Sequence, residues 1–197
     1  MDTVCGSPII ISNEKQNANF VGVFGSCTRW SFLFALFIAL PACASGFAET
    51  GSVVYTDGSD GDPEIYVMNR DWPEGRQLTD NEALDNDPSW SPDGKQIAFT
   101  SDIDGDREIY VMNADGSGVR QLTDNDEIND FDPAWSPDGK QIAYVSDSDG
   151  PTRIFVMKFD GSDLRPLISN EEDMWSDDGP EWSPEGDRIA FFRVRET

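Results

Sequence analysis

The residues of this chain best suited to chemistry are carboxylates that alternate with other residues around a glycine. Asp102, Asp104, Asp106 and Glu108 occupy every second position, with Gly105 between them. Carboxylate oxygens around a turn are ligands that Ca²⁺ prefers in proteins. The spacing differs from that of an EF-hand loop, which has glycine at position six and glutamate at position twelve. The sequence therefore predicts a candidate calcium site, and no other cofactor is expected.

The same acids have a second interpretation as turn residues. Asp and Asn side chains accept hydrogen bonds from nearby backbone N–H groups and thereby stabilise turns. A loop at residues 57–62 partly repeats the pattern, and a third loop at 147–151 lacks the last carboxylates. Turn capping is therefore the alternative to cation binding in all three loops.

Charge and composition exclude several classes of function. The 197 residues include 38 acidic and 14 basic ones, with a formal net charge of −24. Nucleic acids and anionic membranes are therefore poor partners, whereas a protein with a basic patch is attracted. The chain has no histidine, which removes Ser–His and Cys–His catalysis and histidine-based metal sites. Its three cysteines all precede residue 52, so the region beyond holds no internal disulfide.

The acidic loops recur because the chain is built from repeats. One motif reads IYVMN at residues 65–69 and 109–113, and IFVMK at 154–158. Another reads WSPDG at 90–94 and 135–139, and WSPEG at 182–186. A period of roughly 40–45 residues with several short apolar runs is typical of a β-propeller with one four-stranded blade per period. The sequence therefore predicts an all-β partial propeller of about three four-stranded blades.

The repeats place the blade boundaries and separate two kinds of tryptophan. We expect a partial blade at 52–87, blades at 88–131 and 132–179, and a partial blade at 180–195. Trp90, Trp135 and Trp182 recur at the repeat period and are expected to pack between blades. Trp72 and Trp175 do not recur, so they are predicted to lie in loops and to be candidates for contact with a partner.

The sequence of the repeats resembles that of the TolB-type, WD40-like β-propeller family. The resemblance is carried by DGDREIYVMNADG at 104–116, QLTD at 121–124 and PAWSPDGK at 133–140, and it covers nearly everything after residue 52. It implies the fold of that family. It leaves two functions open, because such repeats occur both in periplasmic envelope proteins and in the propeller domains of prolyl-oligopeptidase-like peptidases.

Residues 29–48 are predicted to be an export signal. Arg29 precedes an apolar run at 30–40, and an Ala-x-Ala site follows at 42–44. This order is typical of a secretory signal peptide, and the run is shorter than the roughly 20 residues of a membrane-spanning helix. The segment LPAC at 40–43 also resembles a lipoprotein signal, which would attach lipid to Cys43, and an uncleaved anchor is a third alternative. All three predict export to the periplasm or cell envelope, after an irregular leader at 1–28.

Counting strands predicts a ring that does not close, because propellers normally have four to eight blades. Three explanations remain open: a fragment of a longer protein, a six-bladed head-to-tail homodimer, or an open monomer. Strand direction also predicts that the loop after each second strand shares one face with the connections between blades. Many acids would then lie together on that face.

Two functions follow from these observations. The first is an exported, non-catalytic interaction module of the cell envelope, which binds through its acidic face or central channel. The alternative is a fragment of the substrate-gating propeller of a prolyl-oligopeptidase-like serine peptidase. The chain has neither histidine nor a Gly-x-Ser-x-Gly motif, so it cannot hydrolyse by that route alone.

Overall fold

The computed structural model is built of antiparallel β-sheets. It describes the backbone of residues 9–13, 20–22, 51–59, 61–148, 150–168 and 175–195, with side chains from residue 51 onward. The strands form four sheets, numbered here in the order in which their blades follow along the chain. Strands β1 (Ile9–Asn13) and β2 (Phe20–Gly22) belong to the last of them, sheet 4. Sheet 1 contains β3 (Val53–Asp57), β4 (Glu64–Met68) and β5 (Arg76–Gln77).

The next two sheets have four strands each, in chain order. Sheet 2 contains β6 (Asn86–Trp90), β7 (Gln96–Ser101), β8 (Glu108–Asn113) and β9 (Arg120–Gln121). Sheet 3 contains β10 (Asp130–Trp135), β11 (Gln141–Ser146), β12 (Arg153–Lys158) and β13 (Arg165–Pro166). Sheet 4 begins with β14 (Trp175–Trp182) and β15 (Arg188–Arg195), and continues with β1 and β2. The prediction of an all-β partial propeller is confirmed.

The innermost strands begin earlier in the chain than their proline residues suggest. Strands β6, β10 and β14 start two to five residues before the expected boundaries at 88, 132 and 180. Each strand contains a register shift, where Asp87, Asp132 and Gly179 have φ values of 51°, 55° and 60°. A β-bulge accommodates proline within a strand. Pairing therefore resumes on the far side of each bulge, and Trp175 begins a strand instead of lying in the predicted loop.

The N-terminal region differs from the irregular leader expected for residues 1–28. Strand β1 pairs with β15 from Ile9 opposite Phe192 to Asn13 opposite Arg188, and β2 pairs with β1. A run of isoleucines at 9–11 has the high β-propensity of branched side chains. The predicted signal at 29–48, including Cys43, lies outside the described residues.

Successive sheets pack face to face through repeated apolar side chains. In the first cluster, Ile65 and Val67 of sheet 1 contact the sheet 2 face that carries Trp90 and Phe99. Equivalent clusters join sheet 2 to sheet 3 and sheet 3 to sheet 4. The recurring tryptophans occupy these junctions, as predicted, and the Trp182 indole donates a hydrogen bond to Ala134 O across the last one at 3.1 Å.

The two ends of the array are uncovered. Within the described ranges, sheets 1 and 4 make no contact with each other. Tyr55 and Tyr66 stack on the outer face of sheet 1, at a centroid distance of 5.7 Å. Phe192 on the outer face of sheet 4 is 57% exposed. The described part of the chain therefore forms an open arc. Among these residues, no helix is long and apolar enough to cross a membrane.

Candidate functional site: the acidic rim

The acid-rich loops lie together on one face of the arc. We call this surface the acidic rim and define it as the described residues of 57–63, 78–85, 102–107, 122–129 and 147–152. The Leu84 N–H donates a hydrogen bond to Asp102 Oδ1 at 2.7 Å, and the Asn129 N–H donates one to Asp147 Oδ1 at 2.7 Å. The first two connections between blades are thus tied to the loop after the next second strand, on one face as strand direction predicted.

A pair of buried carboxylates lies beneath the rim in each of the first two repeats. In the first repeat, the Asn81 N–H donates to Glu64 Oε1 at 2.7 Å. The side-chain amide of the same residue donates to Asp85 Oδ2 at 2.9 Å. One asparagine therefore bridges the two carboxyl groups of this pair.

The second repeat reproduces that bridge at the start of β8. The Asn125 N–H donates to Glu108 Oε1 at 2.8 Å, and its side-chain amide donates to Asp130 Oδ2 at 3.0 Å. Glu108 and Asp130 are both buried. The repeated geometry shows that these acids belong to the blade architecture.

Burial makes ionisation of Glu64, Glu108 and Asp130 unfavourable. Burial, together with the charges of Asp130 and Asp106, raises the pKa of Glu108 to about 7, against hydrogen bonds from Thr123 and Asn125 that lower it. Burial also raises the pKa of Glu64 and of Asp130. Within the described residues, one oxygen each of Glu64 and Asp130 is buried without a hydrogen-bond partner. A carboxyl proton suits such an oxygen better than a negative charge does.

The third repeat has an arginine at the position of the two buried glutamates. Arg153 stands where the earlier repeats have Glu64 and Glu108. Asp177, the counterpart of Asp85 and Asp130, accepts a hydrogen bond from Arg193 Nη2 at 2.8 Å. Both partners of this ion pair are largely buried. In the third repeat, the aspartate of the pair is therefore neutralised by Arg193 of β15, and the glutamate position holds Arg153.

A second acidic group lies on the innermost strands, where sequence reasoning found no site. The Thr100 hydroxyl donates to Asp87 Oδ2 and accepts from the Asp132 N–H, both at 3.2 Å. Burial raises the pKa of Asp132 to about 6, with further contributions from the charges of Asp87, Asp178 and Glu181. The Asp-Pro pairs at 87–88 and 132–133 were the available sequence signal for these bulged positions.

The four residues of the predicted calcium site have separate partners. Asp102 accepts the Leu84 N–H, Asp104 accepts the side-chain amide of Gln121, and Glu108 accepts the Asn125 N–H. Asp106 Oδ2 is buried without a partner in the described part of the chain. No cluster of three or more Asp, Glu, Cys or His side chains with the geometry to hold a metal occurs among the described residues. Calcium binding by this loop stays a prediction.

The two non-recurring tryptophans lie in different sheets and are not brought together. Trp72 is 43% exposed in the loop between β4 and β5, where the Arg76 guanidinium lies 4.8 Å from its ring centroid. Trp175 is half-buried at the start of β14 and pairs with Arg195, whose guanidinium lies 5.9 Å from its ring. Each is stabilised by a neighbouring cation, and a partner-binding role for either one stays a prediction.

Comparison with known proteins places this arc among larger propellers. A model of the TolB beta propeller domain matches residues 42–197. The structure of a putative TolB from Agrobacterium tumefaciens is 29% identical, with a TM-score of 0.65, over 79% of this chain and 59% of that one. TolB from Acinetobacter baumannii is 25% identical, with a TM-score of 0.60, over 71% of this chain and 34% of that one. This chain therefore spans less than two thirds of either structure.

A peptidase propeller shares the fold at lower identity. A puromycin-hydrolyzing peptidase from Mycobacterium tuberculosis is 20% identical, with a TM-score of 0.52, over 68% of this chain and 23% of that one. At this identity the likeness concerns the fold alone. No curated protein sequence matches at a significant level.

Proposed function

Because this chain belongs to the TolB β-propeller domain family, we propose that it is an exported, non-catalytic interaction module of the cell envelope. Its acidic rim binds a protein partner that carries a basic surface. The relationship to the TolB structures supports an envelope role, and the complete absence of histidine removes the usual hydrolase machinery from this chain.

The observation that carries the proposal is the unequal neutralisation of the two faces. On the face opposite the rim, lysines pair with the acids of the turns. Lys95 lies 3.3 Å from Asp93, and Lys140 lies 3.1 Å from Asp138. The rim acids Asp124 and Asp126 are exposed, and no ion pair is described for them. The rim as defined contains one cation, Arg107, among its many acids. Such a predominantly negative surface attracts partners of the other sign and speeds their association.

Binding to a fluorescent lysine-rich peptide, measured by anisotropy, tests the rim. The double variant Asp124→Asn/Asp126→Asn removes two rim charges. The control variant Glu74→Gln/Glu185→Gln removes two charges from exposed positions on the opposite face. We expect the rim variant to bind more weakly than the control and the parent to lose affinity as salt rises. Equal affinities of the two variants, or no salt dependence, would contradict binding through the rim.

Export is supported by the apolar segment at 29–48, and cell fractionation tests it. The full chain, expressed in a Gram-negative host, is expected in the periplasm or with the envelope. A Cys43→Ser variant separates the alternatives: loss of membrane attachment in this variant indicates lipidation, whereas an unchanged distribution indicates cleavage or a retained anchor. Recovery of the parent in the cytoplasm would contradict export.

The uncovered ends also support head-to-tail association with a second copy of the chain. The outer faces of sheets 1 and 4 correspond to the two faces that meet at every internal junction. A second copy therefore supplies the matching surface at each end. With four sheets in each copy, the closed ring would have eight blades where residues 1–28, which carry β1 and β2, are retained. The six-bladed ring expected from sequence stays the prediction where cleavage of the signal removes these two strands.

Light scattering over a range of concentrations tests this association. Phe192→Asp places a charge on the uncovered face, and Val119→Asp places one on an exposed residue away from it. Only the first substitution is expected to dissociate the dimer. A parent chain that is monomeric and folded at every concentration would contradict the association.

A further inference from the structure

A small cleft opens on the acidic rim at the junction between sheets 1 and 2. Its lining residues are Asn81, Glu82, Ala83, Asp102 and Ile103, and its volume is about 240 Å³. Pockets for drug-sized ligands measure roughly 300–1,000 Å³. The cleft is therefore of a size for one side chain of a larger partner.

The cleft is preformed by one hydrogen bond within its first loop and one across the junction. The Ala83 N–H donates to Asn81 Oδ1 at 2.6 Å, and the neighbouring Leu84 N–H donates to Asp102 Oδ1 at 2.7 Å. The two loops that form the cleft are thus tied to each other. A partner binding here finds its surface already arranged, which lowers the entropic cost of association.

Two apolar side chains beside the cleft are exposed without a structural need for them. Leu84 is 39% exposed and Ile103 is 59% exposed. At the next junction, the same positions hold Asn129 and Ser148, and the Asn129 N–H donates the equivalent hydrogen bond to Asp147 at 2.7 Å. Because the scaffold forms equally well with polar residues there, the fold alone does not account for the apolar pair.

The surroundings of the apolar pair are acidic. Glu82 and Asp102 line the cleft itself, and Asp80 and Asp104 flank it on the two loops. An apolar spot within a negative field is complementary to an apolar side chain with positive neighbours. An apolar ligand without charge would gain nothing from these carboxylates.

We propose that this cleft is the specificity site of the acidic rim, and that it binds a protein segment in which one large aliphatic or aromatic side chain is flanked by lysines or arginines. The apolar side chain enters the cleft against Leu84 and Ile103, and the flanking cations lie against the rim acids. This inference rests on the proposed function of the rim and names the partner sequence that it selects.

Two peptides and one double variant test the proposal. The first peptide is lysine-rich with a single central phenylalanine, and the second has glutamine in its place. The variant Leu84→Asn/Ile103→Ser gives the first junction the residues of the second junction, so it is expected to fold normally. Melting temperature verifies folding, and anisotropy at fixed salt measures the affinities.

The parent is expected to bind the phenylalanine peptide about tenfold more tightly than the glutamine peptide, a difference of about 1.4 kcal/mol. The double variant should lose this preference and keep its affinity for the glutamine peptide. Equal binding of both peptides by the parent would overturn the specificity site and leave the basic-partner proposal standing. Failure of both peptides to bind would count against the rim function itself. A preference that survives in the folded double variant would place the specificity elsewhere.

Discussion

Replacing Glu108 with glutamine should change how the stability of the protein depends on pH. The Glu108 side chain is fully buried, and its pKa is raised from 4.5 to about 7. Between these values the unfolded chain loses the Glu108 proton while the folded chain keeps it. The free energy of unfolding of the parent therefore falls as pH rises above about 4.5, and this contribution levels off above about 7. Glutamine has nearly the same shape and does not ionise.

The size of the effect follows from the pKa shift. Each factor of ten between the folded and unfolded proton affinities is worth about 1.4 kcal/mol. A pKa raised from 4.5 to about 7 thus costs the parent about 3 kcal/mol at high pH, and most of this cost develops between pH 5 and 8. Relative to Glu108→Gln, the parent should therefore lose about 2 to 3 kcal/mol over that interval.

Urea unfolding followed by tryptophan fluorescence, repeated from pH 5 to 8, measures this difference. The control Glu185→Gln changes an exposed turn residue on the opposite face. Its free energy of unfolding should depend on pH in the same way as that of the parent. Subtracting the curves removes the contributions of groups distant from Glu108, which are the same in both proteins. If parent and Glu108→Gln have parallel pH profiles, Glu108 does not hold a proton in the folded state and the reasoning from burial is wrong.

Three further predictions concern junctions, the ion pair and calcium. Gly116→Ala should lower the melting temperature more than Gly105→Ala does. Both glycines have positive φ, but a Cβ at 116 would lie 2.9 Å from Leu78 O, whereas one at 105 meets nothing within 4 Å. Equal effects of the two substitutions would contradict a role of Gly116 at the junction. Arg193→Met leaves Asp177 buried without its cation, so the free energy of unfolding measured in urea should fall by about 3 to 5 kcal/mol. Lys95→Met, at an exposed ion pair, should change it little. Similar losses in both variants would refute the distinction between buried and exposed pairs. Calcium binding by the Asp102–Glu108 loop predicts a melting temperature that rises with millimolar calcium. An unchanged melting temperature would contradict calcium binding there.

The strands on either side of a hairpin turn could be predicted from sequence because their side chains repeat with the blade. Strand β11, for example, coincides with the apolar run at residues 141–146 that follows the WSPDGK motif. The direction of the strands was likewise sufficient to predict that the acid-rich loops share one face. These features depend on local pattern and on the general geometry of antiparallel sheets.

The roles of individual acids could not be predicted, because they depend on contacts between distant segments. Glu108 looks like one more carboxylate of an acidic loop, yet it is buried and bonded to Asn125 of the next connection. The cleft beside Leu84 forms only when a loop of the second blade crosses the first connection. The Asp-Pro pairs mark the bulged positions, but the continuation of the strand beyond Asp132 depends on pairing of Asp130 and Phe131 with β11, which local sequence does not reveal.

Neighbouring blades are also linked along their outer edge by contacts that repeat with the period. Arg76 Nη2 donates to Asp115 O at 2.7 Å, and Arg120 Nη1 donates to Asp160 O at 3.2 Å. Because sheet 2 both accepts this contact from sheet 1 and makes it to sheet 3, duplication of its whole period by recombination would reproduce the same contact at the new junction. Genes for this architecture can therefore gain blades in single steps, while a change of a few residues within a period would disrupt two junctions at once.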